Sequence, residues 1–165
     1  MHATKNDLPE LKRIRLVVLL NQTLSELIDL QLQAKQAHWN VTGANFIALH
    51  DLFGTVAADA AGFADSVAER IAALGGQAEG SINAVARRTT LPAYPVQIVA
   101  GRAHVDALST SMAVVGKTTR SSIDKALELG DADTADLFTE VSRELIGHSG
   151  SSSRTCTGMR ELLRQ

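Results

Sequence analysis

One cysteine in 165 residues excludes an intrachain disulfide framework, and Cys156 standing alone fits a reducing compartment. Aromatic residues are also scarce, at 4% against 45% hydrophobic overall. With alanine and leucine plentiful, the core is expected to be aliphatic and helical, not that of a β-sandwich. The net charge of −2 gives no global attraction to nucleic acid, so a DNA partner would need a local basic patch. No uninterrupted apolar run approaches the ~18 residues of a membrane span. The nearest, LVVLL at 16–20 behind KRIR at 12–15, has the outline of a signal peptide. It stops at Asn21 and Gln22 with no small-residue cleavage pattern after it. The expected location is the cytoplasm, and the length suits one domain with a single core.

Apolar spacing at three and four residues marks four long helices. The first opens near Pro9, whose missing N–H costs nothing at a helix start, carries a stripe of Leu16, Leu20, Leu24, Leu27, Ile28 and Leu32, and ends near Trp39 before Thr42 and Gly43. The second runs from about Asn45 to Leu74 and stops at Gly75 and Gly76. Its stripe is Phe46, Leu49, Phe53, Ala57, Ala60, Ala64, Val67 and Ile71. A long connection with Gly80 and Pro92 resists a single continuous helix, the third helix covers Val96 to Leu129, and the fourth opens at Asp131 with carboxylates at its positive end. Four helices with one long middle connection describe a bundle with a crossover.

The side chains capable of chemistry gather around the second helix. His38 lies just before it, and His50, Asp65 and Glu69 lie along it. Imidazole plus carboxylate is the donor set expected for non-haem iron. Singly, a helical histidine is more often a surface or interface residue, and Asp65 with Glu69, four apart, is an ordinary solvated pair. At about 100° per residue, His50, Asp65 and Glu69 share a sector of roughly 100° at the border of the apolar stripe, as many amphipathic helices would show. Axial distance says more. His50 and Asp65 are about 22 Å apart along a straight helix, so no ion can touch both within one chain. Two antiparallel second helices in an isologous pair bring His50 of one copy beside Asp65 and Glu69 of the other, making two equivalent sites.

Three strings carry a family resemblance: KQAHWNVTGANFIALHDLF at 35–53, DSVAERIAALGGQAEG at 65–80 and DTADLFTEVSREL at 133–145. They resemble the Dps family of mini-ferritins, and the likeness covers nearly all of residues 7–145. It implies an all-α, ferritin-like four-helix bundle with the long crossover between helices 2 and 3. It also implies ferrous iron as substrate, oxidation by hydrogen peroxide or dioxygen, and ferric mineral held in a dodecameric shell. The family's ferroxidase site lies between two-fold related subunits, which assigns His38 and His50 from one subunit and Asp65 and Glu69 from the other. The family usually has a further aspartate four residues after the second histidine. That position is Gly54 here, and Asp51 lies about 100° around the helix from His50, so it is no replacement. Losing a negative ligand weakens a shared iron site.

By the same resemblance Trp39 is a candidate electron acceptor that limits radical release; its plain alternative is a packing aromatic. Glu128, Asp131, Asp133 and Asp136 are candidates for an acidic pore that concentrates cations, although helix N-terminal charge explains Asp131 and Asp133 without one. DNA binding in the family uses lysine-rich tails. This chain offers Lys5 before Pro9, with Arg154, Arg160 and Arg164 at the other end offset by Glu161; repetition on a shell adds avidity, and the binding would be strongly salt-dependent. Two other readings stand beside the ferroxidase store: a DNA-protecting structural protein whose iron chemistry is impaired at Gly54, and a generic helical adaptor, which leaves the paired signatures unexplained.

The resemblance stops at Leu145. Residues 146–165, with three consecutive serines flanked by glycine and threonine, lack an apolar stripe and are poor helix material. Domain boundaries are therefore set at 1–8 for a short tail, 9–145 for the bundle and 146–165 for an atypical end. Either this end is a flexible extension or the reading frame shifts near residue 145. The abruptness of the change favours the second. The coding DNA is expected to hold a Dps-like ending in another frame, and sequencing that finds none removes the idea.

Overall fold

A computed structural model describes the backbone of residues 1–149 and the side chains of residues 1–145. The composition of 150–165, including Cys156, lies outside the described residues. Five helices follow one another: α1 Glu10–Asn40, α2 Phe46–Ala73, α3 Ile82–Arg88, α4 Gly101–Leu129 and α5 Ala132–Ser149. Pro9 is the N-cap of α1 at φ −54°, already near a helical value. Leu16, Leu20, Leu24, Leu27, Leu30, Ala34 and Ala37 then run down its buried face. Leu30 takes the place expected for Leu32, which is half-exposed. α1 lies chiefly against α2, and α4 against α5. Phe53, Val67, Met112, Phe138 and Val141 meet the α1 leucines in one core.

Each long helix ends for a local reason. After α2 the Gly75 N–H donates to Ala72 O and the Gly76 N–H to Ile71 O, both at 2.9 Å. Gly75 adopts φ +79°, and a Cβ on Gly76 would stand 2.5 Å from a Val17 methyl, so both positions need glycine. Gly130, at φ +83°, closes α4 in the same way. The third long helix starts at Gly101, five residues later than Val96: Ala100 is extended and forms an isolated bridge with Thr42. The crossover also contains α3, which apolar spacing did not reveal because a seven-residue helix offers barely two turns. By length and composition alone α2 is apolar enough to cross a membrane, a test that the core helix of a bundle also passes. Its alanines and glycines escape a search for large apolar runs.

The crossover is held by a polar stripe on α1. Asn21 donates from Nδ2 to Gln77 O at 3.0 Å and accepts from the Glu79 N–H at 2.9 Å. Gln22 donates to Arg88 O at 3.1 Å, Asp29 accepts from the Thr89 hydroxyl at 2.6 Å, and Gln33 donates to Pro92 O at 3.1 Å. At the centre is Glu26, fully buried. Its Oε1 accepts from Gln22 and from the Thr90 hydroxyl, each at 2.7 Å. Burial raises its pKa, and the bonds from Thr90 and Gln22 pull the other way. Thr118 lies close enough to oppose the shift too, yet no hydrogen bond of good geometry reaches Oε2. His104, buried on α4, meets the Tyr94 hydroxyl at 2.5 Å through Nδ1. Burial lowers its pKa and pushes that of Tyr94 up to about 12.

A second polar device ties α2 to the α4–α5 turn. Asp131 accepts the Thr134 N–H at 3.2 Å, an N-cap for α5, and receives Arg70 Nη2 at 2.6 Å. Arg70 Nε also donates to the Thr134 hydroxyl at 3.0 Å.

Two measurements follow. A carboxyl whose folded pKa is raised binds its proton more tightly in the folded state, so its stability contribution is lost as pH rises through that pKa. Glu26→Gln is expected to flatten the fall in thermal midpoint as pH rises above the ordinary carboxylate range; an unchanged slope would mean that Glu26 ionises without cost. His104 acts oppositely, losing stability as pH falls below the ordinary histidine range, and is untouched by that variant. Arg70→Met leaves a buried carboxylate without its cation and is expected to destabilise by about 3 kcal/mol in chemical denaturation, whereas Asp131→Asn, which keeps a capping oxygen, loses less.

Candidate metal centre

The turn between α1 and α2 decides which side chains meet. Val41 is buried and extended, and Gly43 takes φ +109°. The chain therefore reverses within five residues, and the last turn of α1 faces the first turns of α2. This brings His38 against His50, twelve residues apart in sequence. Their rings stack with centroids 3.6 Å apart and planes 28° from parallel.

The backbone locks them reciprocally. Nδ1 of His38 lies 2.7 Å from His50 O, and Nδ1 of His50 lies 2.9 Å from His38 O. A carbonyl oxygen only accepts, so both Nδ1 atoms carry the proton. In the neutral form of each ring the lone pair then lies on Nε2, a nitrogen through which imidazole can bind a metal. Both rings are half-buried, and the Phe46 ring packs 5.1 Å from that of His50. Phe46 was expected in the buried stripe; it is 43% exposed instead. Its spacing of four from His50 was the available signal.

Gly54 lies one turn further along α2, beside the Nδ1–Cε1 edge of the His38 ring. A Cβ built there would stand 3.3 Å from His38 Nδ1 and 3.4 Å from Cε1. A mid-helix glycine costs about 0.5–1 kcal/mol relative to alanine; locally, its bare backbone gives the imidazole a seat.

Asp65 and Glu69 are exposed further along α2 and are not brought to the histidines. About 22 Å of helix separates Asp65 from His50. Among the described residues of one chain, no group of three or more His, Cys, Asp or Glu side chains is arranged to hold a metal. Near the histidines in sequence, Trp39 is 64% exposed and Ile47 is 74% exposed, with the Lys35 ammonium 5.7 Å from the Trp39 ring centre. Of the four pore candidates, Glu128, Asp133 and Asp136 are exposed at the α4–α5 turn. Asp131 departs from that expectation. It is buried, and the α5 cap and Arg70 occupy its carboxylate.

Known proteins share this frame. The ferritin-like domain family matches residues 17–156. A DNA protection during starvation protein of Agrobacterium fabrum is 44% identical over 144 residues, spanning 87% of this chain and 89% of the relative. The solved Dps of Mycobacterium smegmatis superposes with a TM-score of 0.84 at 35% identity, covering 89% of this chain and 90% of that one. The Dps of Microbacterium arborescens, solved in a high iron form, gives a TM-score of 0.83 at 28% identity, covering 97% and 98%. Similarity in sequence and in structure extends over most of the chain, and the chain belongs to the ferritin-like family, in its Dps branch.

Proposed function

We propose that the chain takes up ferrous iron, oxidises it with hydrogen peroxide or dioxygen, and retains the ferric product inside a homo-oligomeric shell, a dodecamer by the family resemblance. The observation that carries this reading is the reciprocal histidine lock, which leaves two Nε2 lone pairs half-buried at a subunit surface. Asp65 and Glu69 of a second copy complete the centre. They supply the hard oxygen donors that iron needs beside imidazole. Each ferrous ion gives up one electron, and two together reduce one peroxide to water. The chain's part is to hold iron by His38, His50, Asp65 and Glu69 with room for the oxidant. The exposed indole of Trp39, beside His38, supports a part in one-electron transfer.

The surface of α2 supports pairing of copies. Only 33% of the most apolar window of α2 is buried within one chain, and Trp39, Phe46 and Ile47 are left partly uncovered at its start. Covering them with a second α2 removes apolar surface from water and brings carboxylates to histidines in one step. Glu128, Asp133 and Asp136 are proposed to attract cations toward an entry route. The location is proposed to be the bacterial cytoplasm.

Gly54 and the name borne by the Agrobacterium fabrum relative favour a second reading, in which DNA protection outlasts a weakened ferroxidase. In this chain Lys5 is the fixed positive charge ahead of Pro9, so such binding would be avid only through repetition and would fade with salt.

The test is ferrous oxidation by the assembled protein, followed as ferric absorbance after peroxide or air. His50→Ala and Asp65→Ala are each expected to slow it about 10–100-fold. Co-assembling the two variants leaves one intact site in every mixed dimer, so about a quarter of the parental rate should return on random mixing. Absence of any recovery removes the shared centre, and full activity of His50→Ala removes the assignment of the histidines.

A further inference from the structure

Away from the histidines, the seam between α1 and α4 is open. Two cavities of about 500 and 480 Å3 lie end to end along it, sharing Leu19 and Lys125. Each falls within the range of about 300–1,000 Å3 found for small-ligand sites. The two ends of this groove differ in chemistry. One is apolar, formed by Ile14, Val18, Leu19 and Leu129, with Val18 64% exposed. The other carries Lys117 and Lys125, with Ser121 one turn from each on the same face of α4. Gln22 and Thr90 also line the polar end, but they donate to Glu26 behind its wall.

Charge selects the occupant. Arg15, Lys117 and Lys125 line the groove against Glu128, and none of the four forms an ion pair among the described residues. Glu128 stands at the apolar end, so an anion is drawn to the other. An isologous second copy would bring the same cations face to face, a like-charge juxtaposition that opposes association. Residues 150–165 offer Arg154, Arg160 and Arg164 against Glu161 and are basic too. A nucleic-acid duplex binds chiefly through its phosphates and leaves the apolar end unused. We propose that the groove binds a single-chain anionic amphiphile, its carboxylate or phosphate head at Lys117 and Lys125 and its acyl chain over Val18, Ile14 and Leu129. This site is separate from the iron centre and does not rest on it. The ammonium groups attract the head, and each methylene taken out of water strengthens binding by up to about fourfold.

The experiment is calorimetric titration of the full-length assembled protein with dodecanoate below its micellar concentration. Saturable binding is expected, about tenfold tighter than that of octanoate, and dodecyltrimethylammonium should bind about tenfold more weakly than dodecanoate. Lys117→Glu combined with Lys125→Glu should weaken dodecanoate about tenfold. Both side chains are exposed; if that variant does not assemble, Lys117→Gln with Lys125→Gln gives the same reading with a loss of about threefold. Val18→Ser, at an exposed position, should narrow the gap between dodecanoate and octanoate. Dodecyl phosphate separates the sources: tighter binding of dodecanoate supports a free fatty acid, and tighter binding of dodecyl phosphate supports a single-chain phospholipid. Absence of saturable binding to the assembled protein overturns the proposal. Equal binding of the cationic amphiphile, or affinity unmoved by the lysine variants, overturns it as well, because exposed apolar surface alone would then account for the uptake.

Discussion

The architecture depends on a polar stripe along α1. Asn21, Gln22, Glu26, Asp29 and Gln33 recur on one side of a helix whose other side is leucine. Each makes a hydrogen bond to the crossover between residues 77 and 92. Polar groups taken out of water must find partners or cost free energy, so the stripe permits few paths for the long connection. That path sets where α4 begins. Ser111 of α4 donates to Gln33 Oε1 at 2.7 Å, which carries the stripe from the crossover into the second helical pair. Glu26, with one oxygen satisfied twice and the other unsatisfied, is the cost of routing the chain through the core's edge.

The histidine pair is built by the same economy. His38 lies in the last turn of α1, where backbone carbonyls lack helical donors, and its oxygen accepts from His50 Nδ1. His50 O, inside α2, accepts from His38 Nδ1 in return, and the two bonds fix which nitrogen of each ring is engaged. The turn thus leaves two imidazole rings side by side, each held through Nδ1. In the proposed function these rings are the metal-facing half of a centre whose carboxylates, Asp65 and Glu69, come from a paired chain.

Much of the fold was legible beforehand because it follows from repetition. Leucines at three- and four-residue spacing, glycines after Leu74 and Leu129, and a non-periodic stretch between them are local signals. The short α3 and the late start of α4 were not legible, because hydrogen bonding to α1 and to Thr42 settles them, at large separations in sequence.

The site divides along the same line. The sequence by itself determined the donor types, the glycine at 54 and the separation that forbids His50 and Asp65 a common ion within one chain, since helix rise is a constant of the backbone. Only the tertiary structure decided which ring nitrogens remain free, that the imidazole of His38 sits on the bare backbone of Gly54, and that Asp131 belongs to a buried cap and ion pair. These outcomes depend on approaches of 2.6 to 3.4 Å between groups twelve to sixty-one residues apart, and such distances are set by how helices pack, not by the order of residues along them.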